Sequence, residues 1–422
     1  MKRYQHIMAL AASGMAALAP SLSATNGDNL IAVGPVSRSM GGVGIALPMD
    51  AISAVFQNPA SMCYGSFCPS SEVNFSGTLF IPTIKTRITN PDGTFAAKSQ
   101  STVYPIPAIG ISVPFSKNPQ QWRFGFAAYG VSGMGVNYKG TAVDAPGAFV
   151  TPGGAFPLVA GKYTNLSVMK FSPSIAYMVN QKLSVGLGLQ ASYGMLDLGM
   201  GTASGFGFGM QPGLVYKATD RVTFGISYIS PQGIKHKDVN DFDGDGAMDD
   251  LKLQSPNNIG LGVAVELLDR RLIAELNTRW INWADADGYS DFDWKDQWTV
   301  GLGFRYAVLR DKCYVSAGYN YGASPLKKHS NWAPGFTNVQ GKNIPNYYYE
   351  TFRITGFPAV VEHHLTLGLT YQFTQKFGAS LAYMHAFENE IVESGTDLFG
   401  RPTTMTSDLR ENGLDFSLNW RF

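Results

Sequence analysis

The chain has 422 residues, with 32 Lys and Arg against 31 Asp and Glu and a formal net charge of +1. Near-neutrality excludes binding driven by a polyanion such as nucleic acid. Charged residues are only 15%, aromatics reach 13% and glycines number 47; this excludes a charge-rich disordered chain and is poor in charge for a soluble surface.

Lys2 and Arg3 open the chain, an apolar stretch runs from Ile7 to Leu18, and small residues follow at Ser21, Ser23 and Ala24. That order reads as a secretory signal peptide over residues 1–24. An exported chain meets an oxidising compartment. Cys63 and Cys68 bracket a four-residue stretch, Tyr64 to Phe67, and are candidates for a small disulfide loop, with two free thiols as the alternative. Cys313 is left over. Residues 25–69 show no alternation and are rich in glycine. They read as a compact segment that fills something rather than spans it.

From residue 70 to 422 the pattern changes to period two, the signature of a strand with two unlike faces. Leu183, Val185, Leu187 and Leu189 alternate with Ser184, Gly186, Gly188 and Gln190. Trp298, Val300, Leu302, Phe304 and Tyr306 alternate with Thr299, Gly301, Gly303 and Arg305. The last ten residues, Gly413 to Phe422, repeat the pattern and stop on an aromatic. One face is large and apolar, the other small or polar. A soluble sandwich would set Lys and Glu outside; here the polar face suits a crowded lumen and the apolar face suits lipid. No mature apolar run is long enough for a spanning helix.

Tight turns near 116–120, 179–181, 218–220, 268–270, 309–312 and 374–376 alternate with long connections near 90–99, 135–165, 235–255, 284–296, 322–360 and 389–409 and a short one near 201–205. The count predicts an all-β fold, a transmembrane antiparallel β-barrel of about fourteen strands with an N-terminal hatch at 25–69 in its lumen. Tight turns then face the periplasm and long loops the exterior, in the outer membrane of a Gram-negative bacterium.

The third strand, "WRFGFAAYGVSGMG", carries Gly125, Gly130, Gly133 and Gly135. Such glycines invite a kink through which a solute leaves sideways, or they relieve crowding against the hatch. Asp241, Asp243, Asp245 and Asp249 surround Gly244 and Gly246. Their spacing is that of a loose calcium loop, or of a solvated acidic outer loop; Lys252 stands where an EF-hand has its bidentate Glu. Glu362, His363 and His364 adjoin a late strand without a third metal ligand nearby. Lys327, Lys328, His329 and Arg353 fall in a long outer loop, where they meet a carboxylate, lipopolysaccharide phosphates or water. No G-x-S-x-G elbow is present, and the chain is not expected to be an enzyme.

The segment "SRSMGGVGIALPMDAISAVFQNPASM" resembles the N-terminal hatch of FadL-type outer-membrane transporters, a family that includes toluene/xylene channels. Asn58, Pro59 and Ala60 match its NPA motif. "SPNNIGLGVAVELLDRRLIAELNTRWINWAD" is similar to its middle strands, and "FPAVVEHHLTLGLTYQFTQKFGASLAYMHAF" to its late strands. The Cys63/Cys68 pair departs from the pattern after the motif. The resemblance implies a monomeric fourteen-strand barrel that takes up long-chain fatty acids and releases them sideways through a gap at a kinked third strand. A channel for aromatic hydrocarbons or alkanes is the alternative, and a structural or adhesive barrel without a transported substrate is a further one. Expected partners are hydrophobic small molecules, outer-membrane lipid and lipopolysaccharide, and the barrel-assembly machinery. No cofactor is required; Ca²⁺ in the acidic loop is the one candidate.

Overall fold

The computed structural model describes residues 26–63, 71–115, 121–145 and 157–422. The expected signal peptide, Cys68 and the side chain of Cys63 lie outside them. Cys313 is a free, half-buried thiol.

Fourteen strands form one closed antiparallel ring. The first seven are β1 (Glu72–Asn90), β2 (Tyr104–Pro114), β3 (Trp122–Asn137), β4 (Tyr163–Asn180), β5 (Leu183–Asp197), β6 (Thr202–Lys217) and β7 (Val222–Ile229). The second seven are β8 (Asn258–Leu267), β9 (Leu272–Ile281), β10 (Gln297–Leu309), β11 (Cys313–Gly322), β12 (His363–Gln372), β13 (Phe377–Thr396) and β14 (Pro402–Arg421). β14 closes on β1 in continuous register from Glu72–Arg421 to Thr89–Thr404. Closure leaves no edge strand, as lipid requires.

The alternation read from the sequence sets the two faces. Leu187, Phe224, Leu261, Phe304, Leu367 and Leu414 all point outward and are exposed. Ser184, Gln190, Gln211, Ser227, Thr299, Asn320 and Thr366 point inward and are buried. Gln190 and Gln211 bond each other at 2.8 Å, and Asn74 donates to Asn419 at 3.1 Å. At the tight-turn end Phe373, Phe377 and Trp420 stack in series, with centroids 5.7 and 6.2 Å apart. Aromatics at that height form the interfacial girdle of a membrane barrel. Among the described residues no helix is long and apolar enough to cross a membrane.

One expected loop is not a loop. β13 and β14 run on, paired, to Thr396–Pro402, with one irregularity between Ala386 and Asn389. Their outer halves carry polar residues on both faces, so no apolar period marked them as strand. Two other outer connections hold hairpins, Gln232–Asn240 with Asp249–Ser255 and Phe336–Val339 with Lys342–Pro345.

Residues 26–62 are buried almost throughout and lie against inward glycines of strands around the ring. They include the single turn α1 (Pro35–Arg38) and the helix α2 (Ala51–Gln57). A Cβ on Gly318 of β11 would lie 2.1 Å from Gly41 N, one on Gly225 of β7 2.2 Å from Ile45 O, and one on Gly186 of β5 2.3 Å from Ala60 N. Inward glycines therefore make room for this segment. Wall side chains supply its backbone partners. Glu275 accepts from Gly44 N at 3.0 Å and Ala46 N at 2.9 Å, and Thr366 from Gly41 N at 3.0 Å. Arg38 is fully buried and meets Asp415 at 3.2 Å.

Candidate functional site

Asn58 ends α2. Its amide nitrogen donates to Ile45 O at 2.8 Å and to Leu214 O of β6 at 3.1 Å, while its oxygen accepts from Ala60 N at 3.1 Å. Pro59 starts the 3-10 turn Pro59–Cys63, and Ala60 O accepts from Ser184 of β5 at 2.7 Å. The motif thus fastens the inner segment to itself and to two wall strands.

The third strand departs from its neighbours. Burial alternates at its start, but from Ala127 to Val136 every residue is buried. Its pairing with β4 shifts register between Gly130 and Ser132. Gly130 borders that irregularity. Gly133 N donates to Asp28 O at 3.2 Å, and Gly135 O accepts from Tyr104 Oη at 3.3 Å. Gly125 lies away from it, where a Cβ would stand 2.2 Å from Met62 Sδ. Gly125 makes room for the inner segment; Gly130 sits where the strand bends.

A window lies beside the bend. The β2–β3 ladder ends at Ala108–Tyr129, although Tyr104–Pro107 still pair with β1. Contact resumes above, where Gln100 N donates to Asn137 O at 2.9 Å. Phe115 N donates to Trp122 O, so the odd-numbered residues of β2 direct their amides toward β3. Pro105 and Pro107 are two of these, and proline has no N–H to give. The β3 side of the window bonds inward instead. Leu30 N donates to Val131 O at 2.9 Å.

Two pockets border β3. The outer one is apolar and lined by Met134, Leu166, Leu253, Tyr289, Phe292, Trp294 and Phe357. Trp283, Tyr289 and Trp294 pack there with centroids 4.6 to 5.0 Å apart. The inner one, about 50 Å³, is lined by Asn29, Leu30, Phe56, Tyr129, Val131, Lys170 and Arg279, among others. Lys170 is 5% exposed. Arg279 bonds Asn258 at 3.3 Å and also Gln57. Asp28 stands between the pockets: its carboxylate accepts from Ser132 Oγ at 2.6 Å and from Tyr289 Oη. A buried lysine and a half-buried arginine on a lining of mixed polarity can bond an acidic head group.

Other expected groups fall elsewhere. Asp241, Asp243 and Asp249 come together, and Lys342 reaches them, 2.7 Å from Asp249 and 3.3 Å from Asp243. Asp245 is more distant from that ammonium, at 3.9 Å. Hydrogen bonding to Asp249 holds the Lys342 pKa above its usual value. His363 faces out and His364 in, as neighbours on a strand must, so they share no ligand site. Arg353 is buried and bonds Glu350 at 2.6 Å, Glu393 at 3.3 Å and Phe292 O at 2.9 Å. His329 lies between Glu350 and Asp293, at 2.8 Å from each. Lys327 also pairs with Asp293, while Lys328 is exposed. These groups tie the outer loops together.

Asp28, Lys170, Arg279 and Tyr289 were not singled out from sequence. The signal for Lys170 and Arg279 was available: each is a full charge within a spanning strand, which is costly unless it serves a lumen.

A closed barrel with an apolar outer face, a filled lumen and a window in the wall defines an outer-membrane β-barrel protein. The family model for outer membrane protein transport proteins (OMPP1/FadL/TodX) matches residues 19–205, and the resemblance to FadL-type transporters is borne out. No curated protein matches the chain in sequence. The toluene transporter TodX of Pseudomonas putida is 16% identical, with 93% of this chain and 99% of that one aligned and a TM-score of 0.65. A FadL homologue of Pseudomonas aeruginosa is 15% identical over 96% and 100%, also with a TM-score of 0.65. The toluene transporter TbuX of Ralstonia pickettii is 16% identical over 93% and 98%, with a TM-score of 0.61. At these identities the likeness is one of fold. The family is one of transport proteins for hydrophobic compounds in the Gram-negative outer membrane.

Proposed function

We propose that the chain passively takes up hydrophobic acids, foremost long-chain fatty acids, and releases them sideways into the membrane. The carrying observation is the inner cavity, lined by Lys170 and Arg279 together with Phe56, Tyr129 and Val131 beside the bend in β3. A carboxylate gains charge-assisted bonds there, and an alkyl tail gains apolar contact. On this reading residues 26–63 are a hatch that denies water a straight route, and the outer aromatic pocket is the first capture point. The window between β2 and β3 supports lateral exit, because its β2 side lacks two amide donors.

A second reading is favoured by the Trp283–Tyr289–Trp294 cluster: neutral aromatic hydrocarbons, which need no cation. Binding of oleate and methyl oleate to the purified barrel separates the two. The acid reading predicts tighter binding of oleate, by about tenfold or more for one charge-assisted bond, and loss of the difference in Lys170→Met. Equal binding of acid and ester by the unaltered protein would sink it and leave the hydrocarbon reading.

A further inference from the structure

A polar hollow lies at the tight-turn end, away from the window. It is a cavity of about 320 Å³ whose lining includes Arg270, Arg305, Arg310, Arg421, Tyr314 and Met49. Asp269 and Asp311 also line it, so four guanidinium groups face two carboxylates of the lining, and Glu266 stands 4.0 Å from Arg270. Arg305 is a buried inward residue stacked 4.4 Å over the Tyr314 ring. Arg310 reaches across to the neighbouring turn and donates to Asp269 O at 3.3 Å. Arg421 meets Glu72 at 3.1 Å.

The backbone that presents Arg270 is strained. Leu268, Asp269 and Arg270 have φ of 52°, 51° and 64°, three successive non-glycine residues in the left-handed region. Each costs roughly 1–2 kcal/mol, and such strain gathers where a ligand site holds it. Leu268 and Leu309, on the same two turns, are 63% and 53% exposed. Guanidinium forks beside an apolar rim suit an anion with planar or tetrahedral oxygens.

We propose that this hollow is a phosphate-anion site at the periplasmic mouth. Its ligand is either the headgroup of an inner-leaflet phospholipid or a soluble phosphorylated molecule. The site is independent of the uptake reading, since none of its residues lines the inner cavity or the window.

The test has two arms on the full barrel. In detergent, inorganic phosphate is titrated calorimetrically. In nanodiscs, native mass spectrometry counts phosphatidylglycerol retained against phosphatidylcholine. The comparison is Arg270→Gln with Arg310→Gln, two exposed turn positions; heat-modifiable migration on gels reports assembly. The expected result is affinity weakened by about tenfold or more in the double variant, in at least one arm, from the loss of two charge-assisted partners. Binding in the phosphate arm alone identifies a soluble ligand; selective retention in the lipid arm alone identifies a headgroup. Equal binding by both proteins, or no binding by the unaltered protein in either arm, overturns the proposal.

Discussion

Ser132 on β3 donates a 2.6 Å hydrogen bond to Asp28, which comes from the segment inside the ring. The same carboxylate accepts from Tyr289 of an outer loop. One side chain therefore joins the bent strand, the lumen segment and the outer aromatic pocket. Hydrogen bonds to a charged group contribute roughly 1.5–3 kcal/mol each. The pair Ser132→Ala with Tyr289→Phe is expected to speed uptake of hydrophobic compounds several-fold, with barrel assembly intact on gels. Unchanged uptake would show that this junction does not restrain passage.

The Asn58–Pro59 turn should matter more for flux than for assembly. Asn58→Ala with Pro59→Gly leaves the carbonyls of Ile45 and Leu214 without that donor, at about 1–3 kcal/mol for a buried group left unmade. The closed ladder and apolar band remain. Heat resistance should persist while uptake drops several-fold and leakage of small hydrophilic solutes rises little. Loss of assembly would assign the motif to barrel formation instead.

The outer-loop junction at His329 should depend on pH. Its bond to Glu350, aided by the bond to Asp293, holds the His329 pKa above the ordinary histidine value. A raised folded value means the contribution is complete below the unfolded pKa, about 6.5, and is lost as pH rises through the folded value. Limited proteolysis of the outer loops should therefore accelerate with rising pH above that range. His329→Gln should flatten the profile; a pH profile unaltered in that variant assigns the change to other groups.

Surface tags test the orientation. Insertions at Asp245, Gly335 and Gly400 should be labelled on intact cells, because short turns face the periplasm and long loops the exterior. Insertions at Asp220 and Asp311, on tight turns, should be labelled only after lysis. Labelling of Asp220 on intact cells reverses the strand directions.

In the acidic loop Lys342 stands within reach of three aspartates. With that ammonium in place, cleavage of the loop by protease should be the same with calcium or with chelator. In Lys342→Met the carboxylates lose their internal cation, and calcium should then protect the loop. Calcium protection of the unaltered chain would instead favour a resident ion.

How much was legible follows from what each residue faces. Phe304 against Gly303 announces lipid on one side and crowding on the other, so the spanning strands and their parity could be read. Asn389 to Leu409 could not, because above the membrane both faces meet water and the period vanishes. Gly125 and Gly130 look alike in sequence, yet one faces Met62 and the other borders the bend. That distinction depends on the inner segment, which no strand pattern encodes. Asp28 was hidden for the same reason: its partners are 104 and 261 residues away along the chain.

Pro105 and Pro107 have a consequence for energetics. Closing the wall completely would require donors that these two residues do not possess, so no folding helper or thermal fluctuation can zip the window from that side. On the lateral-exit reading, the bilayer itself is then the outer leaf of the doorway. Lipid order, more than backbone breathing, sets the resistance, and flux through this protein should track the fluidity of the membrane around it.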